Sequence, residues 1–549
     1  MELVYLWVDS YKNIENQGFN FSPRFECSYN EDTKELTIDE KKEHIGIFPD
    51  NINVTAIVGE NGSGKSNILK ALFQSDDYSS TDDKLWYILY SKDEAKLKIY
   101  FIDHMGIYEK RDIEKNNIHT IDTLKDSANI MTEVDFSMIY FSNTLQYLPI
   151  HNDNQDKSFY NISTSYLIDR YNRKISNNEF IDFKYQYNYY KSKLIEQRII
   201  MLNDSSLKLD FELPQELNIV TQGTYPSDRY EIMKKLLQEE DNNDFRSKVK
   251  KNVIYNYLFD YLDEDELKTR IDTDEKKTIL EFYEEIKSKI PLQSELDDFL
   301  KLLKNPGFLM VSVKIQNIDD SFIKKLEKFN SANALSLGIL DVFHFNWKPE
   351  LSSGQENYLF QFASFYDTLK NATNLKDDIV ILIDEGETTM HPNWQKGYIK
   401  YYIDFLEKNF KNKKFHIVLT SHSPFILSDI PKENVIFLKD GEQDKTVNIN
   451  TFGANIHTLL SHGFFMKYGL MGEFAKSKIT EILEFLNDTT KLKTIKKEQV
   501  KPIIESIGED FLRNKLLNLY NKRFIDERKK EILAERIEEL QKQYDELGT

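Results

Sequence analysis

The sequence predicts an α/β protein: a mixed sheet with helices on its faces, an antiparallel β lobe, a large helical insertion and a helical C-terminal tail. Three observations carry this. The β-prone run Val54–Val58 feeds a glycine-rich turn and then a segment with helical apolar spacing (Ile68, Leu69, Leu72, Phe73). Asp378–Glu385 is a fully apolar run ending in two acids, the pattern of a buried parallel strand opening into a crevice. Between them, from about Ser163 to Phe329, long charged segments with helical spacing dominate.

In chain order, short strands and turns occupy the first 75 residues. Leu85–Tyr90, Lys96–Ile102 and Ser137–Phe141 read as strands of the antiparallel lobe. Thr278–Ile290, with Ile279, Leu280, Phe282, Tyr283, Ile286 and Ile290 at spacings of mainly three and four, reads as a helix of the insertion. Strand signals return at Leu309–Ile315 and Val342–Trp347, and a dense motif region runs from Leu351 to Phe425. The domain reading is therefore 1–162, 163–329, 330–448 and a tail, 449–549, for partner binding or oligomerisation. The tail ends in a heptad stripe, Leu533, Ile537, Leu540, Tyr544 and Leu547. Two readings of that stripe stay open: a helix lying on the body, or a coiled-coil contact with another chain.

Composition narrows the function classes. Hydrophobic residues make up 40% and aromatics 13%, enough for a packed core. A formal net charge of -19 repels nucleic acid at long range, so DNA contact is expected to be weak or indirect. The lysines at 408, 411, 413 and 414, and at 491, 493, 496 and 497, read either as local DNA contacts or as solvated surface. The single cysteine, Cys27, excludes an intramolecular disulfide framework and fits a reducing cytoplasm. No apolar run approaches the ~20 residues of a membrane helix.

The chemistry-bearing residues fall in four places. Gly59-Glu60-Asn61-Gly62-Ser63-Gly64-Lys65-Ser66, with Asn67 following, has P-loop spacing in strand–helix context. Backbone amides there wrap a β-phosphate, Lys65 neutralises β/γ charge and the Ser66 hydroxyl ligates Mg²⁺, so ATP and Mg²⁺ are the expected ligands. At the end of the apolar run, Asp384 would hold Mg²⁺ through water and Glu385 would orient the attacking water. Ser352-Ser353-Gly354-Gln355-Glu356 opens a helix, with the Ser352 side chain and Gly354 amide expected to face outward. His422 follows the strand His416–Ser421 and is a candidate γ-phosphate sensor. Glu387 and His391, four apart, lack further ligands and read as a loop rather than a metal site.

Together these motifs resemble the ABC-type ATPase heads related to RecF, the structural-maintenance proteins and the overcoming-lysogeny-defect family. Asp-Glu-Gly-Glu at 384–387, Met-His-Pro at 390–392 and Thr-Ser-His-Ser-Pro-Phe at 420–425 are closest to the last group, where proline usually stands at the position of Gly386. The resemblance implies that Ser352–Glu356 is a signature motif contacting ATP held by a second copy, which makes a head-to-tail homodimer with two composite sites. It casts His422 as the switch histidine and offers Asn143, in Tyr140-Phe141-Ser142-Asn143, as a candidate for the Mg²⁺-contacting glutamine-loop position. About 285 residues, from 66 to 351, separate P-loop and signature, too many for a compact transporter ATPase and too few for a very long coiled-coil arm.

The tail motifs Thr451–His457 and Gly469–Phe474 look like those of PtuA-type ATPases from Septu and retron-linked antiphage systems. That likeness implies an HNH nuclease partner of the PtuB type, joined in retron versions by a reverse transcriptase and its RNA–DNA product. The last ~125 residues lack the strand-end acids of an appended nuclease. The leading reading is an ATPase subunit that regulates a partner nuclease. A RecF- or SMC-like DNA repair clamp, and a scaffold that loads ATP with little hydrolysis, are the alternatives.

Overall fold

The computed structural model describes residues 1–44, 46–73, 85–103, 106–121, 134–144, 158–176, 183–221, 245–246, 249, 293–304, 307, 310–335, 343–463, 471–488 and 494–547. The chain divides into two compact units, Met1–Phe465 and Met466–Thr549.

In the first unit come β1 (Glu2–Tyr11), β2 (Ile14–Asn20), β3 (Phe25–Asn30), β4 (Glu35–Glu40), β5 (Ile52–Gly59) and α1 (Lys65–Phe73). They are followed by β6 (Leu85–Ser91), β7 (Lys96–Asp103), β8 (Gly106–Ile113), β9 (Ile118–Thr120), β10 (Ser137–Ser142) and β11 (Phe159–Asn161). Next are α2 (Thr164–Ser176), α3 (Phe183–Asp204), β12 (Glu216–Thr221), α4 (Gln293–Leu302), β13 (Met310–Lys314), α5 (Asp320–Leu335) and β14 (Phe343–Lys348). The unit is completed by α6 (Ser353–Asn371), β15 (Asp378–Asp384), α7 (Tyr398–Asn409), β16 (Lys414–Thr420), β17 (Val435–Lys439) and β18 (Glu442–Gln443).

The central sheet has the order β11-β10-β15-β16-β5-β17-β18, parallel except for β18. Its middle strands are apolar because both faces are covered. Ile379 to Ile383 of β15 are at most 1% exposed, and full burial of each such side chain contributes about 1.5–3 kcal/mol. One face carries α6 and α7, through Leu359, Phe362, Phe365, Tyr402 and Phe405. On the other, α1 and the antiparallel sheet β2-β1-β6-β7-β8 share a core of Leu3, Leu6, Ile68, Leu72, Val380 and Val418.

A histidine fixes the lobe to the central sheet. His416 Nδ1 accepts from the Leu3 amide (2.8 Å), which leaves the ring proton on Nε2, facing Thr55 Oγ1 at 2.9 Å. Burial pushes this imidazole down from 6.5 to about 3, so it is neutral in the folded protein.

Two sequence expectations change. Ser137–Ser142 is not a lobe strand: β10 pairs in parallel with β15, and all six of its residues are buried, as a central strand requires. The span read as a helical insertion does contain α2 to α5, but it also contributes β12, which the sequence reading lacked, beside β13, the strand expected at Leu309–Ile315. With β14 these form an antiparallel sheet in the order β13-β12-β14 over a core of Leu217, Ile219, Phe299 and Trp347. The helix expected at Thr278–Ile290 lies outside the described residues.

Asn448–Phe465 belongs to the first unit, where Leu459 is fully buried and the Thr451 hydroxyl bonds the Ile430 carbonyl. The second unit is helical: α8 (Glu473–Asn487), α9 (Val500–Glu505), α10 (Asp510–Tyr520) and α11 (Asp526–Leu547). Ile482, Phe485, Val500, Ile504 and Leu516 make its small core, whereas Leu533, Ile537, Leu540 and Tyr544 of α11 are 51–79% exposed. No helix among the described residues is long and apolar enough to cross a membrane.

Candidate nucleotide site

The C-terminal ends of β5, β15 and β16 lie side by side, and their registers place the chemistry. Asp384 sits opposite Thr420 across the β15–β16 pair and opposite Ser142 across the β15–β10 pair. Ser66, on the first turn of α1, donates its hydroxyl to Asp384 Oδ1 at 2.8 Å, and Thr420 Oγ1 donates to the same oxygen at 2.7 Å. Tyr140 OH stands 3.4 Å from Oδ2. Burial is the main reason that the Asp384 carboxyl is raised above its ordinary range; the two hydroxyls oppose that shift.

The loop before α1 has the shape its glycines permit. Gly62 and Gly64 take φ of 79° and 101°, the left-handed region glycine enters without a steric cost. Gly59 is closed in differently: a Cβ there would stand 2.2 Å from the Leu438 carbonyl oxygen. Lys65 is buried and its ammonium donates to the Gly59 and Glu60 carbonyls at 3.1 and 3.0 Å. Burial lowers its pKa, while Glu385 and Asp384 pull the other way. Ser63 Oγ is buried without a hydrogen-bond partner.

Glu385 faces a second partner. Its Oε1 is 3.3 Å from His422 Nε2, and this hydrogen bond is the chief reason its pKa is lowered. The residue is half-buried with φ of 49°, so a non-glycine backbone in the left-handed region presents the carboxylate. Glu387 is turned inward, accepting from the Ser421 hydroxyl and, at 3.1 Å, from the His422 amide; burial raises its pKa. His391 caps a short helix, accepting from the Asn393 amide at 3.2 Å. Glu387 and His391 thus have separate structural tasks, and no metal-holding group of three or more His, Cys, Asp or Glu occurs among the described residues.

The Ser352–Glu356 segment is a helix start in its own right. Ser352 caps α6 in a capping box with Gln355: the Ser352 amide donates to Gln355 Oε1 at 2.8 Å, and the Ser352 hydroxyl accepts from the Gln355 amide at 3.5 Å. Ser352 and Ser353 are exposed. Gly354, by contrast, is buried, and a Cβ there would meet the Trp394 ring at 2.6 Å, so only glycine fits beside that indole. Glu356 pairs with Arg198, a buried arginine of α3, which ties the inserted region to this helix. Asn143 follows Ser142, the residue opposite Asp384; it accepts from Thr164 at 3.5 Å and lines a cavity of about 540 Å³ with Ser353, Glu356 and Asn357 of α6.

Sequence reasoning missed several contributors. Asn13, in the β1–β2 turn, donates to the Gly62 carbonyl at 3.2 Å and accepts from Asn67 at 2.7 Å, bracing the loop from across the lobe. Thr420 and Tyr140 on Asp384 were equally unforeseen. Aligning the ends of the two apolar strands would have found Thr420, but nothing local signals Asn13. The basic stretches are largely engaged: Lys413 meets Asp377 at 3.3 Å, Lys414 pairs with Asp93, Lys408 lies 3.8 Å from Asp404 and Lys497 sits over the Phe524 ring. Lys491 and Lys493 lie outside the described residues.

Residues 31–427 match the model of a family described as an AAA ATPase domain. The chain belongs to that family. It therefore carries an ATPase domain, and the converging Ser66, Asp384, Thr420, Glu385 and His422 all lie within the matched span. A curated relative, the "Retron Ec83 probable ATPase" of Escherichia coli, is 29% identical over 167 residues, which cover 27% of this chain and 28% of that protein. Among solved structures, an SMC head domain from Thermotoga maritima aligns at 12% identity and a TM-score of 0.25, covering 82% of this chain and 97% of that one. A SmcHead bound to the C-winged helix domain of ScpA aligns at 11% identity and a TM-score of 0.23, covering 80% and 96%.

Proposed function

We propose that this chain binds and hydrolyses ATP at composite sites formed when two copies pair head to tail, and that ATP occupancy regulates a partner nuclease in a cytoplasmic antiphage complex. The observation that carries the hydrolytic reading is the pairing of two kinds of acid at one sheet end. Asp384 is buried among hydroxyls, and Glu385 lies 3.3 Å from His422, whose hydrogen bond lowers its pKa.

The residues suit Mg²⁺ and a triphosphate. Ser66 and Asp384 offer hard oxygen donors, and the buried, unpartnered Ser63 hydroxyl sits in the loop that would wrap phosphate. When bound, Mg²⁺ supplies charge neutralisation on the β/γ oxygens. Lys65 leaves its carbonyl partners for the phosphates. Glu385, as a carboxylate of lowered pKa, is a weak base, so it acts chiefly by orienting and polarising a water. His422 holds that carboxylate and meets the γ-phosphate side. In this reading the exposed Ser352 and Ser353 at the start of α6 reach the nucleotide of the second copy.

Support for the defence role comes from the likeness to a retron ATPase and from the tail motifs at 451–457 and 469–474. The nuclease is of the HNH (PtuB-like) class, with a reverse transcriptase and its RNA–DNA product as further members. The test is affinity purification of tagged Glu385→Gln protein expressed with its neighbouring genes, followed by mass spectrometry and nucleic-acid staining. Co-purification of an HNH nuclease supports the reading. A chain that gathers only DNA supports a repair clamp of the RecF or SMC kind instead.

A further inference from the structure

Glu385 presents its carboxylate from a left-handed backbone, φ 49°, and the next residue is glycine. The first conformation is strained and persists only where the surroundings over-determine it. The second residue has the softest backbone available. Precision at Glu385 must therefore come from groups other than these two residues themselves.

The hydrogen bonds show where it comes from. The Glu385 amide donates to Thr420 Oγ1 at 3.0 Å, and the Glu385 carbonyl accepts from Thr388 Oγ1 at 2.6 Å. The Gly386 carbonyl accepts from Nε2 of Gln361, which is fully buried on α6. Tyr398 OH and Tyr402 OH donate to Gln361 Oε1 at 2.9 and 2.7 Å. Two hydroxyls on one end fix the amide's orientation: the oxygen faces the tyrosines, the nitrogen faces Gly386.

Position 386 cannot brace itself, because a Cβ there would stand 2.3 Å from Tyr398 OH and 2.7 Å from Ile383 Cγ2. An amide and two phenols in an otherwise aromatic core carry a desolvation cost that a leucine and two phenylalanines would not.

We propose that Gln361 is a positioning residue for ATP hydrolysis: it clamps the Gly386 carbonyl and so sets the angle of the Glu385 carboxylate, without touching nucleotide. The proposal rests on Glu385 being the water-orienting acid. Ser352 caps the same helix and Ser353 begins it, so the clamp and the segment assigned to the partner's nucleotide share one rigid element of 19 residues.

The test is steady-state turnover and ATP binding of full-length Gln361→Leu beside Glu385→Gln. Misplacement of a reacting group by an ångström costs about 100-fold. The expected result is a kcat lowered roughly tenfold to 100-fold, with ATP affinity within about twofold of wild type. Adding Gln361→Leu to Glu385→Gln should lower turnover no further, because both act on one group. If Gln361→Leu fails to fold by thermal melting, Tyr398→Phe/Tyr402→Phe decides: it frees the amide's far end, and a several-fold loss of kcat at constant ATP affinity supports the clamp. Unchanged kcat in the folded variants, or kcat and ATP affinity falling together, overturns it. Should Glu385→Gln itself turn over at the wild-type rate, the assignment of Glu385 fails and takes the clamp with it.

Discussion

The strand β15 and the terminal helix α11 both carry regular apolar patterns, yet they end in opposite environments. Ile379–Ile383 are at most 1% exposed, whereas Leu533, Ile537, Leu540 and Tyr544 are 51–79% exposed. Periodicity states which side chains share a face; only tertiary partners decide whether that face is covered. In the first unit covering the strands has a chemical result, since it delivers Asp384, Glu385 and Thr420 to one end of the sheet. In the second unit the stripe stays open to solvent.

The contrast is broken or sharpened by substitution. The largest effect should come from Glu385→Gln, which removes water orientation and lowers turnover by about 100-fold or more while ATP binding persists, as phosphate release and nucleotide titration would show. Lys65→Ala should act on affinity, weakening ATP binding by roughly 10–150-fold, the worth of a charge-assisted bond to phosphate. In the core, Leu382→Ala should cost about 2–5 kcal/mol in urea unfolding. The matching change at the open stripe, Ile537→Ala, should stay within about 0.5 kcal/mol and leave turnover intact. A core-sized loss at Ile537 would mean the stripe is covered in solution.

Acid should weaken the first unit through His416. Its folded pKa, about 3, lies below the ordinary 6.5, so the unfolded chain takes up the proton first. The contribution is complete above pH 6.5 and is lost progressively as pH falls from there toward 3. Urea midpoints from pH 7 to 5 should decline more steeply for wild type than for His416→Asn.

Local chemistry was the legible part of the sequence. The turn Gly59–Ser66 needs only its own glycines, and the acids 384 and 385 only an apolar strand before them, so both could be placed from spacing. Sheet membership was not local. Ser137–Phe141 reads as a lobe strand because its parallel neighbour, β15, lies more than 200 residues on in sequence. Asn13, Thr420 and Gln361 escaped for the same reason: each is an ordinary polar residue until the fold brings it to Gly62, Asp384 or Gly386. Nor does the sequence give any sign that Trp394 packs against Gly354.

The central claim is that two copies complete each other's ATP sites, and the most direct measurement is the mass of purified Glu385→Gln by light scattering with and without ATP and Mg²⁺. The account predicts a dimer that appears with ATP, binds two nucleotides and is lost when Ser353→Arg blocks the start of α6. A mass that ATP does not change, or a dimer indifferent to Ser353→Arg, would contradict it.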